Sequence, residues 1–203
     1  MHVVGSTQGH PEMLWSTFEH FGNTPLAAYQ YNNSAGTQTV SPAASGTWLF
    51  SSSGAPATPN VSHADYTNAP NITGVGGDVT PSDTQRVNPF GTPPNLTNPN
   101  PGDASSAAAN TELISLNNNI AQMMASSGAS ADVRNNYFQS GTTWTKGGAF
   151  PSGPYFSGGN EVGTNELANS TMETYHQTVN CFYCHASNQT DVSHMYPVLL
   201  PLF

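Results

Sequence analysis

The residues best suited to chemistry form the run CFYCH, from Cys181 to His185. The run holds both cysteines of the chain, three positions apart, with a histidine directly after the second. This C-x-x-C-H spacing is the attachment signature of c-type haem, in which two thiols form thioether bonds to the haem vinyl groups. The pattern therefore predicts one covalent haem c, attached through Cys181 and Cys184, with His185 as the proximal ligand of the iron.

Three other uses of the cysteine pair are weighed against haem. A redox dithiol of the thioredoxin type lies beside a βαβ pattern, which this sequence lacks. A structural zinc site usually needs four ligands, and although the chain has seven histidines, no second pair has the usual spacing. A disulfide within the motif would close a very short loop and stabilise the fold little. Haem attachment is the interpretation that the spacing favours.

The side of the haem opposite His185 decides what the iron can do, because a second protein ligand favours electron transfer and an open site permits reaction with small molecules. Two candidates lie near the motif, since His194 is nine residues after His185 and Met172 nine residues before Cys181. Segments this short must turn round the haem edge to reach its far side. The N-terminal block is remote in sequence and can approach freely, and its candidates are His2, His10 and His20.

Aromatic side chains near the motif and in the N-terminal block are predicted to pack against the haem. Apolar surroundings would raise its reduction potential, because they disfavour the extra charge of ferric iron. The predicted contacts of the cofactor are Trp15, Phe18, Met172, Tyr175, Phe182 and Tyr183.

Hydrophobic spacing predicts helices at several places in the chain. The first would run over 11–22, opened by Pro11 and stopped by Gly22, with apolar residues on one side at Leu14, Trp15, Phe18 and Phe21. The second would run over 105–126, with a stripe formed by Leu113, Leu116, Ile120 and Met123 or Met124. Shorter helices are predicted over 131–139 and 170–177. The predicted fold class is mainly α with extensive irregular loops and a cytochrome c-like haem-binding end.

One domain is predicted over 1–203, with 30–104 as a polar loop region rich in Asn, Pro and Gly. Only 7% of the residues are charged, against about a quarter in ordinary soluble domains. Three Lys and Arg stand against twelve Asp and Glu, which argues against nucleic acids and anionic membranes as partners. The sequence contains no run of about 18 apolar residues, so it predicts no transmembrane segment. A surface so poor in Lys and Arg is typical of exported proteins.

Several blocks of the sequence resemble a poorly characterised group of bacterial monohaem cytochrome c family proteins. The blocks are HVVGSTQGHPEMLWSTFEHFGNTP (2–25), DVRNNYFQSGTTWTKGG (132–148), LANSTMETYHQTVNCFYCH (167–185) and the tail SHMYPVLLPL. In that group a W-[SA]-T-F-E block lies far upstream of an N-T-T-M-E-T segment and of one C-terminal CxxCH. This chain resembles the C-terminal half of such proteins, and residues 30–104 hardly take part in the match. A histidine precedes the V-V-G stretch in that group, so the resemblance places His2 first among the candidate sixth ligands.

The motif and the resemblance together predict an exported bacterial c-type cytochrome, periplasmic or extracellular, that carries electrons between a redox partner protein and another donor or acceptor. Because covalent haem is attached outside the cytoplasm, Met1 is not expected to be the translation start. Two alternatives stay open at this point. One is a structural haem-bearing subunit of an extracellular filament or surface assembly, formed by self-association. The other is a haem enzyme with an open sixth site, for which the sequence offers no distal Arg–His pattern.

Overall fold

The computed structural model describes residues 1–42, 46, 48, 73–75, 78–80, 85, 86, 88–91, 104–149, 160–170 and 181–185. Its strands are β1 (His2–Thr7), β2 (His10–His20), β3 (Tyr29–Asn33), β4 (Gly36–Val40), β5 (Thr73–Val75), β6 (Asp78–Thr80), β7 (Tyr137–Thr145) and β8 (Glu161–Gly163). Its helices are α1 (Ala104–Ser126) and the single turn α2 (Phe182–His185), with short 3₁₀ turns at Val133–Asn136 and Lys146–Gly148. None of the helices in these ranges has the length and hydropathy needed to cross a membrane.

Antiparallel strands dominate the described structure, so the prediction of a mainly α fold is wrong. The main sheet has the order β1-β2-β7-β8, and every neighbouring pair in it is antiparallel. Two separate hairpins, β3–β4 and β5–β6, lie within the stretch that was predicted to be loop.

The largest difference from the sequence prediction is at residues 11–22, where the predicted helix is the strand β2. Burial along β2 alternates, because Trp15, Thr17 and Glu19 are buried while the residues between them are only half-buried. That period of two is the signature of a strand with one covered face. The helical interpretation counted Leu14, Trp15, Phe18 and Phe21 as one apolar side. It failed because two of the three buried positions carry polar side chains.

The covered face of the main sheet, here called the inner face, is unusually polar. It carries Trp15, Thr17 and Glu19 of β2 and the buried residues of β7 and β8, which are Phe138, Ser140, Thr143, Thr145 and Glu161. Hydroxyl and carboxyl groups buried in this way are stable only when they are hydrogen-bonded. The inner face therefore depends on specific polar contacts with the chain that covers it.

Residues 164–170 and 85–91 supply the contacts that hold Glu19. The Glu19 carboxylate pairs with the Arg86 guanidinium, with 3.2 Å between Oε2 and Nη1, and both side chains are only 1% exposed. Its oxygens also accept hydrogen bonds from the Ser170 backbone N–H at 3.0 Å and from the Asn23 side-chain amide at 2.7 Å. Arg86 Nη1 in addition donates to the Ala168 carbonyl. One buried ion pair thus joins β2 to both covering segments.

Helix α1 forms where it was predicted, but its apolar stripe does not face the described core. Leu116, Ile120 and Met123 are exposed. The helix docks instead through polar residues. The Asn117 side-chain amide donates to the Gln139 carbonyl at 2.9 Å and accepts from the Gln139 N–H at 2.7 Å. It thus pairs with the backbone of β7 as a neighbouring strand would. Asn110 likewise donates to the Gln30 carbonyl at 2.7 Å.

The predicted helix over 131–139 is also wrong in most of its length. A 3₁₀ turn occupies Val133–Asn136, and β7 begins at the next residue. Val133, Tyr137 and Phe138 would all be buried in the predicted helix, but only Phe138 is buried, and Val133 and Tyr137 are 72% and 38% exposed. The predicted helix over 170–177 lies outside the described residues except for Ser170.

Gly141 permits the close approach of residues 164–170 to β7. A Cβ atom at this position would lie 2.6 Å from the Thr164 Cβ and 2.7 Å from a Leu167 methyl group. We expect Gly141→Ala to lower the free energy of unfolding by about 1–3 kcal/mol, as overpacking typically does. Gly5→Ala is the matched control, since nothing lies within 4 Å of the added Cβ there. Denaturant titration measures both, and equal stabilities would contradict the packing described here.

The Arg86–Glu19 pair gives a second prediction. We expect Arg86→Met to lower the free energy of unfolding by about 3–5 kcal/mol, because it leaves a buried carboxylate without its counter-charge. The control is Arg134→Met, which removes an exposed partner of Asp132, and we expect no measurable change from it. If the two substitutions change the free energy of unfolding equally in denaturant titrations, the buried Arg86–Glu19 pair does not stabilise the fold as described here.

Candidate functional site

The CFYCH run forms one turn of helix in the structure. The His185 N–H donates to the Cys181 carbonyl at 3.1 Å, which closes the turn, and α2 spans Phe182–His185. Positions three apart in a helical turn lie on the same side, so the backbone places residues 181 and 184 side by side. Phe182 points inward and is 1% exposed, which anchors the turn in the fold. This backbone spacing is compatible with attachment of one planar group through residues 181 and 184.

The inner face of the sheet holds the His185 ring. The imidazole stacks on the Trp15 indole, with 4.2 Å between the ring centroids and an interplanar angle of 30°. Phe182 packs its edge against the same indole, at 6.3 Å and 75°. Trp15 is itself fixed, because its Nε1–H donates to the Glu12 carbonyl at 2.7 Å. Three of the predicted site residues therefore meet in one aromatic cluster, Trp15 from β2 and Phe182 and His185 from α2.

His2 lies on the same face of the sheet as this cluster. It pairs with Thr17 across β1 and β2, and the next pair on that face is Val4 with Trp15. Its Nδ1 is 2.8 Å from the Thr17 hydroxyl, which is fully buried. The ring is thus held by a residue of the inner face, two positions along β2 from the tryptophan that contacts His185.

Phe18 and His20 are placed on the opposite face of β2. Alternation along the strand puts them on the other side from Trp15, Thr17 and Glu19. His20 Nδ1 accepts a hydrogen bond from the Gly22 N–H at 2.9 Å, and the ring packs edge-on against Tyr137. The structure therefore does not bring these two predicted site residues to the aromatic cluster.

The remaining predicted site residues are outside what the structure describes. Met172, Tyr175 and His194 lie outside the described residues. For Tyr183 and Cys184 the backbone of α2 is described and the side chains are not.

A pair formed by the half-buried His10 and the buried Glu12 was not singled out from the sequence. Glu12 is 1% exposed, and its Oε1 lies 2.8 Å from His10 Nδ1 and accepts the Thr145 N–H at 3.0 Å. Met13 makes this possible, because its positive φ of 65° breaks the alternation of β2 and turns the Glu12 side chain inward. A signal existed in the sequence, since a carboxylate inside an aromatic stretch is conspicuous in a chain with few charges.

The hydrogen bonds of Glu12 decide its ionisation. Burial raises the pKa of this carboxyl group, but the hydrogen bonds from the His10 side chain and the Thr145 N–H outweigh burial, and the net pKa lies below the usual value. Glu12 is therefore ionised at neutral pH. Its second oxygen, Oε2, is buried and has no hydrogen-bond partner among the described residues.

Within the described ranges, no group of three or more His, Cys, Asp or Glu side chains is arranged to hold a metal ion. A c-type haem takes only one or two axial ligands from the protein, so this finding does not bear on it. Comparison with known proteins gives no match to this chain among family models, curated proteins or solved structures. The resemblance to bacterial cytochrome c family proteins accordingly stays a prediction.

Glu12 predicts a specific loss of stability in acid. Because its pKa in the folded chain is below the unfolded value of about 4.3, its contribution is fully present above that pH and is lost as pH falls through the folded pKa. We expect the difference in unfolding free energy between the wild type and Glu12→Gln to be largest near pH 7 and to shrink below about pH 4. Denaturant titrations across this range measure it. Glu112→Gln, on the exposed side of α1, is the control for loss of one carboxylate. It should lower the free energy of unfolding by less than about 0.5 kcal/mol at pH 7. A difference that does not vary with pH would contradict the ionised state of Glu12.

Proposed function

We propose that this chain is a monohaem c-type cytochrome that transfers electrons. The observation that carries the proposal is the CFYCH turn, whose histidine ring is stacked on a buried tryptophan of the main sheet. A histidine that served only as a polar surface residue would have no need of such a contact. The contact with Trp15 fixes the orientation of the His185 ring, and a fixed ring orientation suits an axial ligand of iron.

The residues present fit a covalently bound haem. The donor set is two thiols and an imidazole on one helical turn, which is the set that C-x-x-C-H attachment uses. The turn is anchored by Phe182 and lies against Trp15, so apolar and aromatic surface is available beside the donors. Bound there, the haem would supply reversible one-electron Fe(II)/Fe(III) chemistry.

The protein's own residues would provide attachment, orientation and exclusion of water. Cys181 and Cys184 would hold the group covalently, which suits a chain whose described residues include few buried apolar side chains. His185 would bind the iron, and Trp15 would keep its ring in place. Phe182 would keep water from one side of the attachment turn. None of these roles makes or breaks a substrate bond, which favours electron transfer over catalysis.

Two further parts of the proposal concern place and partner. Haem is attached to such motifs outside the cytoplasm, so we place the protein in the bacterial periplasm or outside the cell. The formal net charge of −9 makes a partner with a positively charged docking surface the better electrostatic match. The low content of Lys and Arg agrees with both statements.

The test is the visible spectrum of the chain made in a bacterium able to attach haem c. We expect sharp bands after reduction with dithionite, and a haem that stays with the polypeptide after denaturation in acid and acetone. The double variant Cys181→Ser, Cys184→Ser should lose the covalent haem. The double variant Ser126→Ala, Ser127→Ala at the exposed end of α1 is the control for expression and should keep it. Absence of haem from the wild type in that host would refute the proposal and return the CFYCH run to a zinc or disulfide role.

A further inference from the structure

We propose that the outer edge of β4 binds a second copy of this chain, which pairs with it as an antiparallel strand across a two-fold axis. The inference does not depend on the proposed function. It follows from the direction of the backbone hydrogen bonds in the β3–β4 hairpin, from the sequence of β4, and from the distribution of charge along the chain.

The first step is the direction of the backbone groups in β3. The Asn110 side-chain amide of α1 donates to the Gln30 carbonyl at 2.7 Å. The Thr111 hydroxyl accepts the Asn32 N–H at 2.6 Å and lies 3.4 Å from the Asn32 carbonyl oxygen. Gln30 and Asn32 therefore point their backbone groups towards α1 and away from β4. Side chains of the helix occupy this edge of the hairpin.

The second step carries this direction across to β4. Gln30 pairs with Thr39, and Asn32 pairs with Thr37, in an antiparallel register that has no shift. In such a ladder, pairs that exchange backbone hydrogen bonds alternate with pairs whose backbone groups point away from each other. The N–H and C=O groups of Thr37 and Thr39 therefore face the outer edge of β4, and both residues are exposed.

The third step is the state of that outer edge. The hairpin is a sheet of two strands, and no strand among the described residues pairs with β4 on this side. The contact found there is local, because the Gln38 side-chain amide donates to the Thr37 carbonyl at 3.2 Å. A backbone N–H of an added strand can replace this exposed bond between neighbouring residues. The edge thus offers backbone donors and acceptors in the pattern that a further strand needs.

The sequence of β4 also lacks the features that keep an edge strand from pairing. Natural edge strands are commonly protected by charged side chains, by proline or by a bulge. The strand reads GTQTV, with no charged residue and no proline, and its register with β3 has no bulge. Threonine and valine in addition favour extended backbone. An open edge of this kind favours addition of a strand from another chain.

The distribution of charge selects a second copy of the chain as the occupant. The formal net charge is −9, so two copies repel each other over much of their surface. Residues 21–62, which include the whole hairpin, contain no Asp, Glu, Lys or Arg. Two copies can therefore approach through β4 without bringing like charges together. A partner that is recognised by opposite charge has no counterpart at this edge.

A two-fold axis at Gln38 sets the register of the pairing. Thr37 of each copy then lies opposite Thr39 of the other, and each such pair exchanges both of its backbone hydrogen bonds. The threonine side chains also lie opposite each other, as favourable cross-strand pairs do. The two hairpins form one continuous sheet in the order β3-β4-β4-β3. Because a two-fold contact closes on itself, it gives a dimer and not a filament.

The experiment is analytical ultracentrifugation of the purified full chain at concentrations up to about 1 mM. We expect a monomer–dimer equilibrium. Thr39→Pro should raise its dissociation constant about ten- to a hundredfold, because it removes one outward N–H from each copy. Proline is tolerated at this position of the monomer, since that N–H does not pair with β3. Ser34→Pro, at the turn of the same hairpin, is the matched control and should leave the dissociation constant unchanged.

Amide hydrogen exchange identifies the surface that pairs. As the concentration of the wild type rises, the amides of Thr37 and Thr39 should become protected. The amide of Gln38 pairs with β3 in the monomer and should be protected at every concentration. A dimer formed through any other surface would not produce this alternation along β4.

A second substitution covers the case in which Thr39→Pro loses the circular dichroism spectrum of the wild type. Thr39→Lys keeps the backbone N–H and places a charged side chain on the edge, so it should also weaken the dimer. It makes the net charge of the chain less negative. Loss of the dimer in this variant therefore cannot result from greater overall repulsion between copies.

The outcomes decide the inference whether or not the sample carries haem. A chain that stays monomeric at every concentration overturns it and leaves the edge to an extended segment of another protein. Association that neither Thr39 variant weakens, or that leaves the amides of Thr37 and Thr39 unprotected, overturns it as well. The contact would then lie elsewhere, for example at the exposed Leu116 and Ile120 of α1.

Discussion

The carboxylate of Glu19, buried beneath the main sheet, is the contact on which the rest of the structure depends. The chain has three Lys and Arg residues in all, and one of them, Arg86, is buried and paired with the Glu19 carboxylate. An ion pair taken out of water must be surrounded by further hydrogen bonds, because Coulombic attraction alone does not offset the desolvation of both groups. Ser170, Asn23 and the Ala168 carbonyl provide them. Two segments that are remote in sequence, those of Arg86 and of Ala168–Ser170, are thereby fixed to the C-terminal end of β2.

The same strand connects this contact to the candidate site. Glu19 and Trp15 are two residue pairs apart on the inner face of β2, so whatever fixes the strand also fixes the indole on which the His185 ring rests. Ala168 and Ser170 contact the Arg86–Glu19 pair, and the CFYCH turn contacts Trp15. The buried ion pair and the aromatic cluster therefore lie along one face of the same strand. Both contacts join distant parts of the described chain to the main sheet.

Sequence reasoning succeeded where one local rule decides the outcome. The period of 3.6 over 105–126 predicted α1. The haem site predicted from the spacing in CFYCH stays a prediction, and the structure shows only that this run forms a helical turn beside Trp15. Sequence reasoning failed for β2, because hydrophobic patterning assigns Thr17 and Glu19 to solvent. Their burial depends on partners such as Arg86, which lies 67 residues away from Glu19 and belongs to no recognisable pattern. The sequence also predicted that the apolar stripe of α1 would face the core. That helix docks instead through Asn110 and Asn117, whose side-chain amides hydrogen-bond to the backbone of neighbouring strands.

The polar inner face has a consequence for how stability varies with temperature. Among the described residues, seventeen polar or charged side chains are buried against seven apolar ones. Exposing apolar surface raises the heat capacity of the unfolded chain, whereas exposing polar surface lowers it. The part of the chain that the structure describes is closed largely by hydroxyl, amide and carboxylate groups, so it contributes a small heat-capacity change on unfolding for its length. Such a contribution flattens the dependence of stability on temperature, so that cooling weakens these contacts less than it weakens an apolar interior.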